Sequence, residues 1–257
     1  MNDKMNKPWQ AIFDKYEIHR HDFSKEPYVL AAQQIKDATS HFKKTSEREV
    51  RVLCKQDSRE DRPEIFIKNN LFLLPIKNGT YAILEGDGYV DIPEITTEPV
   101  KYRSKLDFEL ETSQVGNSEM QHLDFAYASS LIRSFMEDQS LVLTIRGKKY
   151  TPEFHFTAGK FNQKIKAESV QTEVDAGYEG KTQIVLIEAK NSKTKNTIIR
   201  QLYFPYRQWQ IYTSKGVKVL FFEKRHNMYS LWNYEFSDID NYNSIKLLDS
   251  KQYEIQT

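Results

Sequence analysis

Residues 171–190 read QTEVDAGYEGKTQIVLIEAK, and this stretch decides the fold. Ile184, Val185, Leu186 and Ile187 are apolar in unbroken succession. A strand with one wet face alternates apolar and polar residues, so a continuous apolar run marks a strand covered on both faces. Such a strand belongs in the middle of a sheet. It ends in Glu188, Ala189 and Lys190. Because side chains alternate, Glu188 and Lys190 leave one face about 7 Å apart. A strand over 165–176 is expected to end at Asp175, with the Gly177–Gly180 turn joining it to the next. That hairpin would bring Asp175 close to Glu188.

Working outward, Ser118 and Gln121 form a capping-box pattern that opens a helix over 118–136, with Leu123, Ala126, Tyr127, Leu131 and Phe135 as its apolar stripe. Strands are expected at 140–146, 153–157, 183–189, 217–223 and 228–236. A helix over about 196–209 contains Pro205. The order predicts a mixed α/β (α+β) core, mostly an antiparallel meander with one crossover helix. A joint is expected near 93–117, where Pro93, Pro99 and the polar run from Thr112 to Asn117 fall.

The first half predicts helices over 7–17 and after Ser24, a short strand at 49–54, and a helix from Asp61–Pro63 to Asn69. LFLLPI and YAILE flank Lys77-Asn78-Gly79-Thr80, a strong hairpin signal. A short helix before a hairpin suggests a winged helix, although the other elements fit that order less cleanly.

The composition narrows the function. The 257 residues are 28% charged and 39% hydrophobic, with mean hydropathy −0.68, so a soluble globular protein with no membrane span or secretory leader is expected. The single cysteine, Cys54, allows no intrachain disulfide and suggests the cytoplasm. With 37 basic and 36 acidic side chains, any nucleic-acid contact must come from local clustering of charge. Walker A, G-x-S-x-G and paired C-x-x-C motifs are absent. His19 and His21 have no third ligand at suitable spacing, and Gly86-Asp87-Gly88 reads as a turn.

Two carboxylates at the end of a buried strand repel and need a cation or a proton. Oxygen ligands select hard ions, Mg²⁺ above all. A lysine alongside can hold water or phosphate. Asp175 followed 13 positions later by Glu188, then Lys190, on adjacent strands resembles the signature of the PD-(D/E)xK nucleases. The resemblance covers about 115–235, with flanking helices before and after the strands. Its size and layout are similar to type II restriction endonucleases. One departure is Val174, where many members carry proline.

The resemblance implies a restriction-endonuclease-like mixed sheet over 115–257, with 1–105 as the DNA-recognition region. Asp175, Glu188 and the Ala189 carbonyl would bind Mg²⁺, and Lys190 would orient the attacking water. Glu119 could add a carboxylate, although a helix N-terminus also favours an acid there; Glu173 is a rival for the place of Asp175. The implied activity is sequence-specific cleavage of double-stranded DNA to 5′-phosphate and 3′-hydroxyl ends, by a homodimer with a cognate DNA methyltransferase as genetic partner. A repair or resolvase-like nuclease and a non-cleaving DNA-binding module are the alternatives. Arg200 with Arg207, and Gln201 with Gln208, repeat at seven-residue spacing and are candidate DNA contacts. Arg59 and Arg62 are weaker ones, diluted by Glu60, Asp61 and Glu64. Tyr203, Phe204 and Tyr206 read as core.

Overall fold

The computed structural model describes residues 3–256. The chain opens with α1 (Asp3–Lys15), β1 (Tyr28–Ala31), α2 (Ala32–Thr39), α3 (Thr45–Arg48), α4 (Val50–Leu53), α5 (Glu64–Lys68), β2 (Leu71–Lys77) and β3 (Thr80–Glu85). The three strands form an antiparallel sheet in the order β1-β3-β2. Asn78 and Gly79 make the expected hairpin turn, and Gly79 holds φ +73, a left-handed conformation that glycine adopts freely. Trp9, Phe13 and Phe66 interlock edge to face in the core of this region, with Trp9 and Phe66 centroids 4.7 Å apart. Trp9 Nε1 donates to the Leu53 carbonyl at 3.0 Å, which ties α1 to α4.

Two expectations fail here. The helix expected after Ser24 begins only at Ala32, because Tyr28–Ala31 pairs with β3 as a strand. Pro27 favours an extended residue before it, and Tyr28 and Val29 suit a strand. Residues 49–54 are not a strand but a helical turn that buries Val50 and Leu53 and leaves Val52 outside. The alternation of Val50 and Val52 mimicked a period of two.

Then follow β4 (Tyr89–Asp91), β5 (Val100–Arg103), α6 (Glu119–Ala128), α7 (Leu131–Phe135), β6 (Val142–Tyr150), β7 (Phe154–Ala158), β8 (Gln163–Ala167), β9 (Gln171–Glu179), β10 (Gln183–Lys190), β11 (Asn196–Ile198), α8 (Arg200–Tyr212), β12 (Gly216–Arg225), β13 (Met228–Phe236) and β14 (Ile245–Gln256). Seven strands form one mixed sheet in the order β5-β14-β13-β12-β10-β9-β6. The α+β class and the single crossover helix stand: β10 and β12 run parallel, joined through α8. β10 lies inside this sheet, and Ile184 to Ile187 are each 3% exposed or less. Ile184 and Leu186 face the cluster that contains Leu202 and Phe204 of α8. Val185 and Ile187 face the cluster of Leu123, Ala126 and Leu131 from α6 and α7. Burying each such side chain contributes roughly 1.5–3 kcal/mol. Tyr203 and Phe204 are core, and Tyr206 packs against it, as expected.

Other boundaries move. The span 165–176 holds two strands, β8 and the start of β9, separated by a turn where Ser169 has φ 54. β9 does not stop at Asp175 but runs through Gly177 to Glu179. The helix over 118–136 breaks at Ser130, which takes φ 66. Only half of the capping box forms. Ser118 Oγ accepts from Gln121 N, but the Gln121 amide donates to the Thr112 carbonyl at 2.7 Å and to that of Val115. The joint at 93–117 also differs, because β4 pairs with β11 and β5 with β14, so the chain enters the second region from Tyr89 onward. Among the described residues no helix is long and apolar enough to cross a membrane.

Candidate functional site

The centre of the site is a break in the rhythm of β9. Gly147 of β6 pairs with Val174, and Ile145 pairs with Gly177, so three steps along β9 match two along β6. The extra residue falls at Asp175–Ala176. Before it, Thr172 and Val174 face α8; after it, Ala176 and Tyr178 face α6. A β-bulge of this kind re-aims one side chain, and here that side chain is Asp175. Its Oδ2 accepts from the backbone N of Ala189 at 2.8 Å, which fixes the carboxylate at the end of β10.

Glu188 and Lys190 share the α8 face of β10. Glu188 is 9% exposed, and its Oε1 accepts from Lys190 Nζ at 2.5 Å. The same Nζ donates to the Ala189 carbonyl at 3.1 Å. Burial pushes the Glu188 carboxyl up to about 7 although Lys190 pulls it down; the nearby charges of Asp175 and Asp57 add to the rise. Burial works against the Lys190 ammonium, but Glu188 outweighs it and holds the amine above its ordinary value. Asp175, Glu188 and the Ala189 carbonyl are hard oxygen donors. Among the described residues no group of three His, Cys, Asp or Glu side chains is placed to hold a metal. A carboxylate pair with a carbonyl nevertheless suits Mg²⁺, which keeps several of its waters. The buried Glu188 gains a partner for its charge when a cation binds.

These residues open into a cleft of about 530 Å³ between the two regions of the chain. Its walls include Glu119, Glu173, Arg200 and Gln201, all candidate site residues from the sequence, and Arg51, Cys54, Lys55, Asp57 and Tyr81, which were not candidates. The charge of Glu119 reaches Lys190, so its place at the start of α6 puts it beside the site. Glu173 is exposed on the same cleft. The four basic residues Lys44, Arg48, Arg51 and Lys55 are exposed and spaced i, i+4, i+7 and i+11. Only Arg48 and Arg51 lie within helices, on α3 and α4 either side of the extended Glu49, and of the four Arg51 and Lys55 reach the cleft wall.

Four expected DNA contacts are used up inside the protein. Arg207 is 8% exposed, and its Nη1 donates to Tyr203 Oη, to the Ile239 carbonyl at 2.6 Å and to Asp240 Oδ1 at 2.8 Å. Gln208 is buried, accepting from Thr172 Oγ1 at 2.8 Å. Arg59 makes a fork on Asp87, with Nε and Nη2 as donors, and also pairs with Asp91. Arg62 donates to the Leu71 carbonyl at 3.1 Å and lies over the Tyr89 ring. The seven-residue spacing pairs Arg200 with Arg207 and Gln201 with Gln208, but only the first of each pair lines the cleft, because the helix turns inward beyond the first turn of α8.

No curated protein and no solved structure matches the chain. Residues 6–83 match a domain of unknown function (DUF6996), and the next match begins at residue 84, inside β3. That second match, to the domain of unknown function DUF6997, extends over residues 84–254 and so takes in the seven-stranded sheet, save the last two residues of β14, and the cleft residues of β9, β10 and α8; the chain belongs to this family.

Proposed function

We propose that the protein is a Mg²⁺-dependent, sequence-specific endonuclease of the PD-(D/E)xK kind that cuts double-stranded DNA as type II restriction enzymes do. The observation that carries this reading is the convergence of Asp175, Glu188 and Lys190 at the end of β10, open to a cleft. The element order around them supports it. A helical segment (α6, α7) precedes three antiparallel strands (β6, β9, β10), and α8 crosses over to the parallel β12. The acid stands on the second of these strands and the Glu-x-Lys on the third.

When bound, Mg²⁺ supplies a water of lowered pKa and neutralises charge on the phosphate. Asp175, pinned by the Ala189 N–H, and Glu188 would hold it. Lys190 has three N–H donors and uses two on Glu188 and the Ala189 carbonyl. The third is left to orient the attacking water or to stabilise the charge developing on the phosphate. Water adds to phosphorus and the P–O3′ bond breaks, leaving a 5′-phosphate and a 3′-hydroxyl.

The N-terminal region supports a recognition role. Helix, strand, helices and hairpin, with sheet order β1-β3-β2, is the arrangement of a winged helix. It turns Arg51 and Lys55 towards the cleft. Symmetric cutting would need a second copy, hence a homodimer, and a cognate methyltransferase would protect host DNA in the cytoplasm. The test is digestion of unmethylated phage DNA with Mg²⁺, with and without EDTA. Discrete bands that EDTA abolishes are expected. A smear would point instead to a repair or recombination nuclease, and binding without cleavage to a DNA-binding module.

A further inference from the structure

Residues 57–60 are strapped onto 196–198, the short strand between the Glu188–Lys190 segment and α8. Ile198 N donates to the Asp57 carbonyl at 2.9 Å. Arg59 N donates to Asn196 Oδ1 at 2.7 Å, and Asn196 Nδ2 donates to Glu60 Oε2 at 2.9 Å. Asn196 is 4% exposed, so these bonds are shielded from water. The strap carries the Asp57 side chain into the cleft, where its Oδ1 accepts from Arg200 Nη2 at 3.2 Å. Asp57 and Arg200 line the same walls as Glu188 and Lys190. Asp57 also lines an adjoining cavity of about 350 Å³ that shares Lys190. Asp57 therefore stands where the cavities meet, beside the candidate centre.

A carboxylate in the path of a polyanion costs affinity, so its presence needs a reason. The guanidinium fork fits carboxylate and phosphate equally well and has five donors. Arg200 stands at the first turn of α8, with its side chain 24% exposed and its guanidinium donating to Asp57. Lys55, also on the cleft wall, approaches the other Asp57 oxygen at 3.7 Å. We infer that Asp57 stands in for a substrate phosphate: it holds the Arg200 guanidinium oriented in the free protein, and a backbone phosphate of the incoming DNA strand displaces it. The N-terminal region thereby positions a phosphate-binding residue of the other region through a single side chain. This inference rests on the nuclease reading.

The test is equilibrium binding of a fluorescent DNA duplex in EDTA, where no cleavage occurs, for wild type, Asp57→Asn, Arg200→Ala and the double variant. Releasing Arg200 from a partly exposed pair should tighten binding roughly threefold to tenfold in Asp57→Asn. Losing charge-assisted bonds to phosphate should weaken binding about tenfold or more in Arg200→Ala. The double variant should bind no tighter than Arg200→Ala, because the gain passes through the guanidinium. A gain of the same size in both backgrounds would show that Asp57 merely repels DNA or masks Lys55, and would overturn the inference. So would a folded Asp57→Asn that binds no tighter than wild type. Asp57→Ser replaces it should the amide variant fail to fold, as judged by its melting temperature. Wild type that neither binds nor cuts DNA would remove the nuclease reading itself; wild type that binds, without the coupling, removes only the role of Asp57.

Discussion

Replacing Glu188 by Gln should change how stability depends on pH, in a direction that the geometry fixes. The Glu188 carboxyl rises from 4.5 to about 7, chiefly through burial at the end of β10. Between those values the native state holds a proton that the unfolded chain has released. The stability that Glu188 contributes is therefore greatest below pH 4.5 and is lost as pH rises through 7. The loss is about 3 kcal/mol, because each pH unit over that interval is worth about 1.4 kcal/mol. For a chain of this size that corresponds to roughly 5–10 °C in melting temperature. The assay is thermal unfolding of wild type and Glu188→Gln in EDTA, from pH 5 to pH 8. The other titrating groups are common to both proteins and cancel in the difference. Removing the partner of Lys190 also shifts the variant's baseline, with Glu119 and Asp175 left as the acidic groups near the amine. Wild type should lose stability relative to the variant as pH rises. Parallel curves would refute the claim that Glu188 is forced to ionise in a desolvated site, and with it the argument that the site calls for a cation.

Asp175→Ala and Lys190→Ala should each lower DNA cleavage by at least 100-fold while leaving the melting temperature within a few degrees, measured by gel digestion and calorimetry. Arg207→Ala should do the opposite. It empties the space the buried guanidinium fills beside Phe154 and Tyr203 and removes a donor to the Ile239 carbonyl, and should cost about 2–3 kcal/mol in urea unfolding, with DNA affinity unchanged at permissive temperature. Arg51→Glu and Lys55→Glu should weaken duplex binding and lower the slope of log K against log salt by about one for each cation lost. Gly88→Ala should destabilise by about 1–3 kcal/mol in the same unfolding assay, because a Cβ there would fall 2.2 Å from the Phe72 ring.

Local chemistry made much of the fold legible. The apolar run at Ile184–Ile187 could be satisfied only between two layers, and that requirement placed β10, α8 and the α6–α7 segment correctly. Asn78-Gly79 fixed the hairpin because few residues adopt its turn. β14 was missed for the opposite reason. Leu247 and Leu248 are 39% and 47% exposed, so this 12-residue strand is held by its backbone pairing with β13 and β5, which leaves no periodic mark. Burial misled in the same way on α8. An arginine on a helix reads as a surface cation until Tyr203, Ile239 and Asp240 are seen to close around Arg207.

The site was legible only in part, and the boundary has a physical cause. Glu188 and Lys190 are two residues apart on one strand, so their common face follows from the strand period alone. Asp175 is different. Counting by twos from Val174, which faces α8, sends Asp175 to the opposite face from Glu188. The bulge at Asp175–Ala176 removes that conflict, and the Ala189 N–H holds the result. The bulge depends on pairing with β6, whose Gly147 at φ +77 lies across from it, so it is a property of two strands rather than of one. Asp57 lies further still from sequence reasoning, 143 positions from Arg200, since only the docking of one region on the other brings the two together. Residues that bind through their own strand can be read from a pattern; those delivered by a partner strand or a partner region require the fold.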